Sequence, residues 1–168
     1  MNGEQKQKNS VLAWTLFILY CAVMLWLLFF RRVGRGRYTD YLEMLRWNLN
    51  LEPLQTIKGY LYVLRHSGEF GGNIRDAVIN LAGNVVMFVP LGILPPIIWP
   101  RLRRLWRFAI FVVLTITAVE LTQLLTLLGS CDIDDLLLNS VGALIGFGAF
   151  KLAALLRSRA DGGKAPRP

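Results

Sequence analysis

Four stretches of about twenty residues almost free of charge constrain this chain more than any other feature of it. Val11–Phe30 carries no charged side chain and Ala77–Trp99 carries none, while Phe108–Leu128 holds only Glu120 and Leu136–Leu156 only Lys151. At 1.5 Å per residue, about 20 apolar residues cross a ~30 Å hydrocarbon core, so each block is predicted to be a spanning helix. Alternating segments of about ten residues, the mark of a membrane β-barrel, are absent. The hydrophobic content of 54% and the mean hydropathy of +0.44 exceed what one soluble core of 168 residues accounts for. They also exclude a disordered chain or a disulfide scaffold. A net charge of +8 does not point to nucleic acid, because the bases sit in short runs beside the apolar blocks. The expected partner is the lipid bilayer, and the expected fold is an all-α integral membrane bundle of four transmembrane helices.

The first block resembles a signal peptide in following Lys6 and Lys8, but its apolar run is too long and Phe29-Phe30-Arg31-Arg32 offers no cleavage site. It is read as an uncleaved anchor. Orientation follows from the short loops. Pro100–Arg107 packs in Arg101, Arg103, Arg104 and Arg107, whereas Gly129–Asp135 has no base and three acids, Asp132, Asp134 and Asp135. Basic loops stay cytoplasmic, which puts the acidic loop outside and both termini inside, although Arg31, Arg32, Arg35 and Arg37 strain the rule. The expected division is a cytoplasmic N-terminus over 1–10, a membrane domain over 11–156 and a disordered basic cytoplasmic tail over 157–168.

The long first loop, external in this scheme, should carry two short interfacial helices. Thr39-Asp40 is placed to cap one that ends near Asn48. Thr56 is placed to cap another, with Ile57, Tyr60, Leu61 and Leu64 on one apolar stripe. Ser67–Asn73, with three glycines, reads as a link, and Asn73 with Asp76 as the start of the second span.

The candidate site is made of polar residues inside the membrane. Glu120 lies eight residues from the outer end of its span, about 12 Å deep, with Gln123 on the same face. Asn84 in the second span and Asn139 in the fourth come out at similar depth. An ionisable group there costs at least ~2.5–3.5 kcal/mol unless paired or wetted, which singles out Glu120 for function. Asn80, Asn84 and Asn139 could equally serve to hold helices together. Lys151 lies near the inner end and can snorkel. Asp132 can cap the fourth span with Asp135 near its positive end, yet three acids exceed what a cap needs. Catalytic candidates are therefore Glu120, Asp134 and Asp135, and binding candidates are Asn84, Gln123, Asp132 and Asn139.

In the fourth span Asn139, Gly142, Gly146, Ala149 and Ala153 form one stripe, and Gly142 with Gly146 lets a neighbouring backbone come close. The stripe should face the second or third span, with homo-oligomerisation as its competing use. Pro90 removes a backbone donor and is expected to kink the second span below Asn84. Cys21 and Cys131 lie at different depths, so no mutual disulfide is expected, and His66 reads as a loop histidine. No metal-ligand spacing, nucleophile elbow or phosphate loop is present, and no cofactor or metal is expected.

The run Asn84-Val-Val-Met-Phe-Val-Pro90-Leu-Gly92, the pair Glu120-Leu-Thr-Gln123 and the segment Asp132-Ile-Asp134-Asp135-Leu-Leu-Leu-Asn139-Ser-Val-Gly142 resemble the VanZ-like family. So does Asn50-Leu51-Glu52-Pro53-Leu54 with Ile57. The resemblance covers about residues 12–156. Many relatives carry an arginine before the first Asp, where this chain has Ser130-Cys131. The resemblance implies a multi-pass protein of the bacterial cell membrane, linked through its namesake to low-level resistance to teicoplanin, a lipid-tailed glycopeptide. Three function classes fit. One is a non-enzymatic envelope protein altering lipoglycopeptide access. Another is a membrane enzyme acting on a lipid-linked envelope substrate through Glu120 and Asp134/Asp135, with a hard cation in the acidic loop as its discriminating test. The last is a small proton-linked carrier using Glu120.

Overall fold

The computed structural model describes residues 3–30, 40–66 and 73–162. Its elements are α1 (Gly3–Leu25), α2 (Tyr41–Trp47), β1 (Leu49–Asn50), α3 (Gln55–Arg65), α4 (Ile74–Ile98), α5 (Leu105–Thr126), β2 (Cys131–Asp132) and α6 (Ile133–Gly162). A π-helical turn, Trp26–Phe30, prolongs α1, and a 3-10 turn, Pro100–Arg103, leads into α5. Among the described residues four segments are long and apolar enough to cross a membrane: Ser10–Phe29, Ile74–Ile98, Leu105–Thr126 and Ile133–Ala160. The protein is an all-α bundle of four spans, with boundaries within a few residues of those expected.

The dominant helix pair is α4 with α6, and glycine makes it. A Cβ added at Gly142 would overlap the Val85 carbonyl oxygen, one at Gly146 the Val89 carbonyl oxygen, and one at Gly92 the Ala143 carbonyl oxygen. The two backbones therefore approach as only glycine permits, gaining dispersion contacts in a medium where lipid is as apolar as leucine. Of the expected stripe, Gly142 and Gly146 face the second span, whereas Ala149 and Ala153 are exposed. Beside it lies the core of Met24, Phe88, Leu91, Phe108, Val112, Ile116, Ala143 and Phe147, with Phe108 and Phe147 stacked at 4.4 Å. Pro90, Pro95 and Pro96 all fall inside α4, which nonetheless continues as one helix. Pro100 has no N–H to offer the Pro96 carbonyl, and Arg103 Nε donates to that oxygen instead at 3.1 Å.

Two sequence expectations are corrected. α6 does not end at 156: Arg157–Gly162 is helical, because Ala, Ser and Arg follow without a breaker until the Gly162-Gly163 pair. Only 163–168 of the expected tail lies outside the described residues, as do Thr39, the arginines of 31–37 and the glycines of 68–72. The α3 cap is not Thr56, which sits inside the helix, but Leu54 in a left-handed conformation (φ 65°) with no side-chain cap of its own. Asp40, Asn73 and Asp132 do cap: their side chains accept from Leu42 N, Arg75 N and Asp134 N at 2.9, 3.0 and 2.8 Å. α2 closes at Asn48 as expected.

Candidate functional site

The C-terminus of α1, the N-termini of α4 and α6 and the C-terminus of α5 gather at one end of the bundle, where α2 and α3 sit. This acidic end is held by residues far apart in sequence. β1 and β2 pair in parallel, Leu49 with Cys131 and Asn50 with Asp132. The Tyr41 hydroxyl donates to the Leu125 carbonyl at 2.9 Å.

The aspartates explain why α3 docks. Asp134 is fully buried, and its two carboxylate oxygens accept from Leu54 N at 2.6 Å and Ile57 N at 3.0 Å. Those are orphan donors at the start of α3, so α6 supplies from its own first turn the cap that α3 lacks. Asp132 caps α6 with one oxygen. Its other oxygen accepts from Thr56 Oγ1 at 2.5 Å and Asn50 Nδ2 at 3.2 Å. Asn50, singled out only as part of a motif, and Thr56, expected as a helix cap, are thus part of the same network. Their signal was the Asn50–Leu54 motif, whose partner is 82 residues downstream.

The remaining candidates divide by partner. Glu120 is buried on α5, and its Oε2 accepts from Asp132 N at 3.4 Å, so the α5–α6 loop folds down onto it. Asn84 donates through Nδ2 to Asp135, joining α4 to α6. Gln123 is buried but turns away from these acids, donating through Nε2 to the Leu28 carbonyl of the π-helical turn at 3.0 Å. Asn139 is 3% exposed, and its Oδ1 has no hydrogen-bond partner among the described residues. Asn80 donates to the Asp76 carbonyl of its own helix and, among the described residues, crosses to no other. Lys151 is exposed, its Nζ 5.5 Å from the centre of the Phe147 ring.

Cys131 reports on the charge at this end. Burial pushes its thiol up, and the negative charges of Glu120, Asp132 and Asp135 push it the same way. The thiolate is the reactive form, so Cys131 should alkylate slowly at neutral pH and faster as pH rises. A maleimide time course at two pH values checks this, and equal rates would refute it. Cys21 and Cys131 are both free thiols. Among the described residues no group of three His, Cys, Asp or Glu side chains is arranged to hold a metal ion. His66 stacks on Tyr62 at 4.2 Å, away from the acids.

Comparison with known proteins places this architecture. The sequence model of the family described as VanZ/LLP1 matches residues 17–155. Protein VanZ of Enterococcus faecium is 26% identical over 145 residues, covering 86% of this chain and 77% of that protein. No solved structure matches.

Proposed function

The chain belongs to the VanZ/LLP1 family, and from that premise we propose that this multi-pass membrane protein lowers susceptibility to lipid-tailed glycopeptides without turning over a substrate. Its acidic end faces outward in the bacterial cell membrane. The observation that carries the reading is the employment of the acids. Asp132 and Asp134 have both oxygens engaged in capping and docking, which supports a binding scaffold over an acid/base centre. Glu120, which accepts from Asp132 N, and Asp135, which accepts from Asn84, lie at a polar level that also holds Asn139. That level forms the proposed intramembrane site.

Glu120→Gln keeps volume and hydrogen bonding while removing the charge. It is expected to abolish protection against teicoplanin at unchanged membrane abundance, with Lys151→Gln as the silent control, both read in the same cells. Full protection by Glu120→Gln would reduce the polar level to helix packing.

Orientation has its own test. Trp47 is 81% exposed at the acidic end, so Trp47→Cys in a Cys131→Ser background should react with an impermeant maleimide on intact cells. Arg104→Cys should react only after permeabilisation. The reverse pattern would place the acids in the cytoplasm.

A further inference from the structure

A cleft of about 330 Å³ lies between the π-helical turn Trp26–Phe30 and α4, within the usual size of small-ligand sites. Asp76, Asn80 and Asn84 form a ladder along one wall, one helical turn apart and about 12 Å from end to end. Leu27 and Leu28 line the other wall. The internal hydrogen bonds set the ladder's polarity. Asn80 Nδ2 donates to the Asp76 carbonyl at 2.7 Å, and Asn84 Nδ2 donates to Asp135. Among the described residues neither amide oxygen accepts a bond. The cleft therefore offers a carboxylate and two amide oxygens in file as acceptors, with one N–H of each amide already committed, opposite an apolar wall.

We propose that this cleft binds a bilayer lipid whose headgroup carries several hydroxyls, a glycosyl-diacylglycerol in chemical type, with its acyl chains along Leu27 and Leu28. Hydroxyls strung along a sugar ring meet acceptors strung along a helix. A phosphodiester headgroup brings a negative charge toward Asp76, whatever hydroxyls it also carries. A single ammonium would be satisfied by Asp76 at the mouth and would leave the deeper rungs unused. Two further features fit a ligand. The facing wall is a π-helical turn, a form that recurs at functional sites, and Gln123 holds its Leu28 carbonyl. Gly83 also lines the cleft, and a Cβ there would meet nothing within 4 Å, so the glycine keeps space open instead of admitting a neighbouring backbone. The assignment goes beyond any effect on glycopeptides and stands or falls without it.

The test uses the full chain in detergent micelles, with native mass spectrometry counting retained lipid. Monoglucosyl-dioleoylglycerol, dioleoyl phosphatidylglycerol and dioleoyl phosphatidylethanolamine are offered in equal amounts. The glucosyl lipid should be retained roughly tenfold over phosphatidylglycerol, as one or two hydrogen bonds to acceptors would give. Gly83→Leu should fill the cleft and abolish the preference. Asn80→Leu, which breaks no bond to another helix, should weaken it several-fold and carries the test should Gly83→Leu fail to accumulate. Gly148→Leu, on an open surface, should change nothing. Equal retention of phosphatidylglycerol, stronger retention of phosphatidylethanolamine, or an undiminished preference in folded Gly83→Leu would overturn the assignment.

Discussion

Gly142→Ala is expected to destabilise the bundle by about 3 kcal/mol, and Gly146→Ala by a similar amount. Each new methyl group would strike a backbone carbonyl of α4, at Val85 or Val89. A backbone oxygen cannot rotate away as a side chain can. α4 and α6 must therefore separate along their length, giving up the contacts that hold the largest interface in the protein. Gly148→Ala supplies the control, because a Cβ there meets nothing within 4 Å and the helix gains up to about 1 kcal/mol of propensity. Thermal unfolding of the purified protein, followed by circular dichroism, reads all three. Equal melting of Gly142→Ala and Gly148→Ala would refute this account of the α4–α6 contact.

Asp134→Ala should free α3 from the bundle while leaving the four spans assembled. The substitution strands the N–H groups of Leu54 and Ile57, each now bonded to a fully buried carboxylate. Hydrogen bonds to a charged group contribute about 1.5–3 kcal/mol each, so the docking of α3 loses at least ~3 kcal/mol. Lys58 and Arg65 lie on that helix, and trypsin should cut there rapidly in the variant and slowly in the parent. Asp134→Asn retains one good acceptor and should fall between them. Unchanged protection of Lys58 and Arg65 in Asp134→Ala would show that the carboxylate does not hold α3.

The two predictions also mark what the sequence can and cannot disclose. The spans are legible because hydrocarbon thickness imposes a length that no loop imitates, and the Gly142–Gly146 stripe because helix packing has a fixed period. Caps within one element, such as Asp40, Asn73 and Asp132, follow from chemistry two residues away. Asp134 was visible as one acid too many for a cap, but its partners lie 77 and 80 residues upstream. Nothing local tells which helix an extra carboxylate serves. Thr56 failed as a cap for the same reason: its hydroxyl finds Asp132, and that tertiary bond outweighs the local preference. A shared helix face placed Gln123 beside Glu120, whereas its amide is drawn to Leu28 of the π-helical turn, whose irregular backbone the sequence did not disclose. Two-residue strands such as β1 and β2 are too short to leave any alternating pattern.

The remote cap on α3 has a consequence for how the protein is made. At about 5–20 residues per second, a ribosome that has finished Leu54 needs roughly 4–16 s more to reach Asp134, 80 residues on. For that interval α3 has been synthesised without an acceptor for its leading N–H groups, and α4 shows the glycine at 92 to lipid with no partner backbone. One event, the arrival of α6, completes both. A nascent chain stalled or truncated before Ile133 therefore lacks the α6 partners of both the start of α3 and the glycine face of α4.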